Sequence, residues 1–134
     1  MRGASRREES GAFGGEKMIG VDIVSVERIA ALDLSAFTDK VCTPAEKEYI
    51  FSKAGRTECA AGVFAAKEAA VKALGCGFTG KVTYKQVEVA HDEKGAPFLR
   101  LHGEAERLLA ERGKEIFLSV SHDGGYAVAF AVIK

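Results

Sequence analysis

Phe64, Glu68 and Lys72 recur at four-residue intervals. On a helix of 3.6 residues per turn, residues so spaced climb one face, each step drifting by about 40°. A carboxylate and an ammonium therefore project together. Alone, the pair also reads as an ordinary surface ion pair, worth about 0.3–0.5 kcal/mol. A second acid sharpens the chemistry. Asp22 stands inside an otherwise apolar run, residues 18–24 (MIGVDIV), where an unpaired carboxylate is costly to bury. It must be solvated at the strand end, hydrogen-bonded or bound to a cation. Two carboxylates from separate elements beside one lysine suit Mg²⁺, which takes one or two protein carboxylates and completes its octahedron with water and phosphate oxygens. Such a site implies a phosphorylated substrate.

Other residues carry weaker signals. Gly75-Cys76-Gly77 can bring backbone amides close to a phosphate, although a lone G-x-G after a helix is more often a terminator. Ser119-Val120-Ser121-His122 closes a strand-like run and offers hydroxyls and an imidazole to phosphate or adenine. His91 and His102 read as exposed bystanders, and Cys76 has no base near it in sequence to activate it.

The elements that must position these groups are legible in outline. Residues 18–24 read as a strand, and Ser25 can cap a helix through about Ala31. Thr43-Pro44-Ala45-Glu46 combines a capping box with proline at the first helical position, starting a helix that runs to about Phe51. Residues 58–74 hold alanine at 60, 61, 65, 66, 69, 70 and 73 and end at Gly75, a left-handed cap position, which makes this the clearest helix of the chain. So little side-chain bulk lets it lie close against the sheet or another helix along a narrow, tightly packed face. Residues 82–90 and 97–101 form a hairpin around a polar turn, and residues 103–112 an amphipathic helix ending at Gly113. Residues 116–121 and 126–133 form a second hairpin around His122-Asp123-Gly124-Gly125.

Bulk properties narrow the classes. The 134 residues fit one domain. Nineteen basic and nineteen acidic side chains cancel, so there is no basic field of the kind that drives nucleic-acid binding. Cys42, Cys59 and Cys76 form no C-x-x-C pair, and an odd count argues for free thiols in a reducing compartment. No apolar stretch approaches the roughly 20 residues of a membrane span, so a soluble, cytoplasmic protein is expected. Residues 1–17 lack an apolar signal core and read as a disordered extension, with natural translation expected to start at Met18. The domain then spans residues 18–134 with a net charge of −1.

With these residues assembled, the chain from Met18 onward resembles the bacterial holo-[acyl-carrier-protein] synthases, small phosphopantetheinyl transferases. Three blocks carry the resemblance: Ile19-Gly20-Val21-Asp22-Ile23-Val24, Phe64-Ala65-Ala66-Lys67-Glu68-Ala69-Ala70 with Lys72, and Ser119-Val120-Ser121-His122 with Tyr126-Ala127. It implies an α+β fold with an antiparallel sheet against the long alanine-rich helix. It further implies a homotrimer with coenzyme A in clefts between subunits, and transfer of 4′-phosphopantetheine to a serine of apo acyl carrier protein, releasing adenosine 3′,5′-bisphosphate, for fatty acid biosynthesis. By position, Asp22 and Glu68 match the Mg²⁺ ligands, Lys72 the phosphate-contacting lysine and His122 the histidine of the coenzyme pocket; Gly75, Gly77 and Ser121 join Lys72 and His122 as candidate coenzyme contacts. Arg28 matches a basic residue that meets the carrier's acidic helix. Glu68 is the best-placed general base.

The chain departs from that pattern at Val63, where many members have arginine, at Cys76, where threonine is frequent, and at Asp123, where a small hydroxyl or thiol residue is usual. Two other classes remain in view. One is a non-catalytic coenzyme-A-binding or structural trimer. The other is a metal-dependent nuclease, disfavoured because its acid-x-lysine pair lies on a strand rather than four apart in a helical run.

Overall fold

The computed structural model describes residues 18–134; the extension expected over residues 1–17 lies outside them. Strand β1 (Met18–Ser25) leads into a short helix α1 (Val26–Ala30), α2 (Leu34–Val41) and α3 (Pro44–Phe51), then the long α4 (Arg56–Leu74). A 3₁₀ turn (Tyr84–Gln86) precedes β2 (Val87–His91), β3 (Pro97–Leu101), α5 (Gly103–Arg112), β4 (Ile116–Asp123) and β5 (Tyr126–Ile133). The architecture is α+β. The chain's last strand is the centre of an antiparallel sheet ordered β1-β5-β4, and β2-β3 form a separate hairpin.

Local chemistry accounts for most boundaries. Ser25 Oγ accepts the amide of Arg28 at 3.2 Å and caps α1. Thr43 and Glu46 close the expected capping box ahead of Pro44. Gly75 ends α4 with φ 76°, the left-handed cap that glycine adopts without steric cost. Helix α2 was not anticipated, although Asp33 caps it through the amide of Ala36 at 3.0 Å. Leu34, Phe37 and Val41 also show an i, i+3, i+7 apolar spacing there.

Helix α4 is the spine. Alternate residues of β1 and β5 (Gly20 and Val24; Ala127, Ala129, Ala131 and Ile133) are buried beneath it. Thirteen of its nineteen residues are buried, including Ala60, Ala61, Ala65, Ala66, Ala69, Ala70 and Ala73, so its packing surrounds most of the circumference rather than one narrow face. The approach to β1 is closest at Gly20. A methyl group there would lie 2.0 Å from the Ala69 carbonyl oxygen and 2.6 Å from the Ala73 amide nitrogen, so only hydrogen fits.

The first hairpin differs from expectation. Pairing begins at Val87 opposite Leu101, not at Val82. The intervening residues turn because buried Lys67 draws in two backbone carbonyls, donating to Tyr84 O at 2.9 Å and Val87 O at 2.6 Å. These tertiary bonds override the β-propensity of the segment. Strand β4 also continues through His122 and Asp123, leaving Gly124-Gly125 as the turn.

Substituting Gly20→Ala should destabilise the domain by about 2–3 kcal/mol or more, because a methyl at 2.0 Å from backbone forces strand and helix apart. Chemical denaturation checks this; an unchanged midpoint would contradict the seam described.

Candidate functional site

The close seam brings Asp22 and Lys72 together at one corner, with Glu68 one helical turn before Lys72. Asp22 shares the helix-facing side of β1 with Gly20 and Val24. Lys72, on the last turn of α4, reaches across the seam, and its Nζ donates to Asp22 Oδ1 at 3.2 Å and to the Val21 carbonyl at 3.0 Å. The Asp22 side chain is 18% exposed and that of Lys72 53%, so the pair sits at the edge of solvent. The alternative ion pair, Glu68 with Lys72, does not form. Glu68 lies one turn earlier, beside Ala69, whose carbonyl covers Gly20. Its Oε2 accepts instead from the phenol of Tyr84 at 3.2 Å.

Tyr84 escaped the reading of the sequence because its segment has strand-like composition and nothing local marks a phenol aimed at a carboxylate. The Tyr84 ring stacks on Phe78, with centroids 3.8 Å apart, and lies 5.8 Å from Phe64. Burial, then the Glu68 carboxylate, pushes the phenol above its ordinary pKa, while the Arg28 guanidinium pulls it back. Arg28 therefore lies near the same corner, on exposed α1. Lys67 was likewise unmarked beyond its place in the middle block. It is fully buried and paired at 2.9 Å with Glu46 Oε1, whose side chain is 1% exposed. Glu46 is satisfied at its other oxygen by the Val89 amide at 2.5 Å.

Among the described residues no three acids, histidines or cysteines gather as a metal cluster. The two carboxylates singled out in the sequence, Asp22 on β1 and Glu68 on α4, both offer oxygen ligands. That number and type fit Mg²⁺, which keeps several waters and takes phosphate oxygens for the rest of its shell.

The remaining predicted residues divide between the two ends of α4. Gly75 and Gly77 follow Lys72 at the C-terminal end, with Gly77 open to solvent. His122 lies near the other end, where its Nε2 hydrogen-bonds the Glu58 carbonyl at 2.9 Å. A side chain at Gly62 would press on its ring from 3.0 Å. At 1.5 Å per residue, Glu58 and Lys72 are about 21 Å apart along the axis. Adjacent strand residues face opposite ways, so Ser121 and Asp123 occupy the outer face of the sheet and His122 the side of α4. The departure at Asp123 is thus turned away from the His122 imidazole.

Beside His122 is a cavity of about 420 Å³ whose walls include Tyr49, Lys53, Val63, His91 and Pro97. Tyr49 and His91 stack face to face, centroids 3.8 Å apart at 8°. Lys53 Nζ lies 4.5 Å from the Tyr49 ring centroid. His91 is half-buried rather than the exposed bystander expected, and His102 is engaged with Glu88 at 2.8 Å. The three cysteines are unpaired. Burial raises the pKa of each, that of Cys42 to about 12, so none is poised as a thiolate nucleophile.

Comparisons with known proteins agree on one relationship. The sequence pattern of the family described as "4'-phosphopantetheinyl transferase superfamily" matches residues 18–131. A curated relative from Halothermothrix orenii, a holo-[acyl-carrier-protein] synthase, is 49% identical over 118 residues, covering 85% of this chain and 94% of its own. The crystal structure of the holo-[acyl-carrier-protein] synthase from Neisseria meningitidis superposes with a TM-score of 0.78 at 34% identity, covering 87% of this chain and 97% of that one. The Helicobacter pylori holo-[acyl-carrier-protein] synthase, solved in complex with coenzyme A, gives 0.76 at 31% identity, over 87% of this chain and 100% of that one.

The cavity itself yields a pH prediction. Burial, then the Lys53 charge, lowers the His91 pKa, with Asp92 opposing. The unfolded chain consequently binds a proton that the folded imidazole resists, so stability is intact above the ordinary value of 6.5 and falls as pH drops below it. His91→Phe keeps the stack and removes the titration. The stability gap between wild type and His91→Phe should shift toward the variant from pH 8 to pH 5.5 in denaturation series; a pH-independent gap would contradict the assignment.

Proposed function

This chain belongs to the 4′-phosphopantetheinyl transferase superfamily, among its holo-[acyl-carrier-protein] synthases, and we propose that the Asp22–Glu68–Lys72 corner carries its transfer chemistry. The domain of residues 18–134 is an enzyme that uses coenzyme A to modify a serine of apo acyl carrier protein. In the step proposed, the serine hydroxyl attacks the β-phosphorus of coenzyme A, a new P–O bond forms to the serine, and the bond to adenosine 3′,5′-bisphosphate breaks. Glu68, directly or through a water, accepts the hydroxyl proton, and Lys72 sets positive charge against the pyrophosphate. Asp22 and Glu68 would hold Mg²⁺, which supplies charge neutralisation to the phosphates when bound. The observation that carries the reading is the Lys72 bridge to Asp22 across the seam, with Glu68 one turn away on the same helix.

Two further features support a homotrimer with coenzyme A between subunits. First, the predicted coenzyme contacts, Lys72, Gly75 and Gly77 on one side and Ser121 and His122 on the other, lie toward opposite ends of α4. A neighbouring copy that supplies the His122 end to this copy's Lys72 end completes the set. Secondly, the outer face of the sheet is apolar and open: Ile19, Val21 and Ile23 on β1 are 57%, 52% and 60% exposed, beside Phe117 and Phe130. A contiguous apolar face of this kind marks an interface. Light scattering should return three times the chain mass, and a monomer would reject the trimer.

The carrier is expected to dock where Arg28 is exposed on α1, its acidic helix meeting the guanidinium. Among the described residues no helix is long and apolar enough to cross a membrane, which accords with a cytoplasmic enzyme of fatty acid biosynthesis.

Incubation with coenzyme A, Mg²⁺ and apo carrier protein, followed by intact-mass measurement, tests the reading. Wild type should add one phosphopantetheine to the carrier, and Asp22→Asn and Glu68→Gln should each lose at least about 100-fold in rate, the scale of general-acid/base assistance. Arg28→Ala should raise the KM for the carrier, with the difference shrinking at high salt as exposed charges are screened. An unmodified carrier would leave a non-catalytic coenzyme binder. Full activity in either carboxylate variant would remove the proposed site.

A further inference from the structure

We propose that Tyr84 is a positioning residue for Glu68, its phenol fixing one carboxylate oxygen so that the other is presented to the divalent cation. The inference rests on the reading of Glu68 as a metal ligand.

Three contacts immobilise Tyr84, each on a different part of the residue. Its backbone carbonyl receives Lys67 Nζ at 2.9 Å. Its ring is stacked on Phe78 at 3.8 Å and 25°, and lies 5.8 Å from Phe64 at 28°, while Phe64 is itself braced edge-on by Phe37 at 5.3 Å. Its hydroxyl donates to Glu68 Oε2 at 3.2 Å. Consecutive residues of α4 thus grip the same turn, the Lys67 ammonium at the Tyr84 backbone carbonyl and the Glu68 carboxylate at the Tyr84 hydroxyl. Lys67 cannot drift, because it also donates to Val87 O at 2.6 Å and is paired with buried Glu46.

Among the described residues Tyr84 is the only side chain hydrogen-bonded to Glu68. A glutamate has three rotatable side-chain bonds, and one fixed oxygen removes much of that freedom before any ion arrives. Hydrogen-bond partners of metal-ligating side chains act in this way, and losing one typically costs about 10- to 100-fold in metal affinity or activity. The competing view is that Tyr84 is an aromatic plug whose hydroxyl merely finds a partner. The two differ in what the oxygen alone contributes, since Tyr84→Phe retains the stack and the Lys67 contact.

The experiment is a double-mutant cycle on Mn²⁺ binding to the full chain without substrate, followed by the loss of the free-ion paramagnetic resonance signal. Tyr84→Phe should raise the Mn²⁺ dissociation constant about tenfold, with near-ultraviolet circular dichroism of the remaining aromatics preserved. In a Glu68→Gln background the same substitution should change nothing further. Wild-type affinity in Tyr84→Phe overturns the proposal and leaves the Glu68 ligand intact. An equal weakening by Tyr84→Phe in both backgrounds also overturns it, because the phenol would then act elsewhere. If Glu68→Gln alone binds Mn²⁺ as wild type does, the metal assignment of Glu68 falls, and the role of Tyr84 falls with it.

Discussion

The distance between α4 and β1 governs the rest of the molecule. Helix and strand meet at Gly20 so closely that a single methyl group would overlap the helix backbone. The alanines of the helix permit that contact along its length, burying area without side-chain entropy to lose. Two residues beyond Gly20 on the same side of the strand is Asp22, and three beyond Ala69 on the helix is Lys72. Their bond across the seam follows from the spacing of the backbones. A bulkier helix would hold these groups farther apart.

A second, wholly buried charge pair extends that order to the far side of the helix. Lys67 and Glu46 are almost completely removed from solvent, and each is satisfied by backbone groups as well as by the other. Breaking such a pair from one side typically costs about 3–5 kcal/mol, since it strands a charge. In return the pair joins α3, α4 and the start of β2, and sets the turn that carries Tyr84. Helix α4 thus meets the acid of β1 through Lys72 and the phenol of the turn through Glu68.

What the sequence made legible, and what it did not, divides along the range of the interactions. The capping box at Thr43 and Glu46, the alanine pattern of residues 60–73 and the glycine after Leu74 are local signals, and the structure has each element where they fall. Asp22 and Lys72 meet, though they are fifty positions apart, because each sits on an element with an unambiguous pattern. The 3₁₀ turn at Tyr84 was hidden, since Lys67, seventeen residues upstream, decides its shape through carbonyls that carry no sequence mark. Helix α2 was missed for a different reason: its cap and apolar spacing are present, but no capping box or proline reinforces them. The alternative reading of Glu68 and Lys72 as a plain i, i+4 surface pair falls away because both residues bond to groups off the helix.

The proposed chemistry requires Asp22 and Glu68 to converge on one ion. The most direct measurement is a crystal structure grown with coenzyme A and Mn²⁺, with the metal located by its anomalous scattering. A single peak is expected within coordination distance of both carboxylates and of the coenzyme pyrophosphate. A peak that touches only one of the two acids, or that lies away from the α4–β1 seam, would contradict that chemistry.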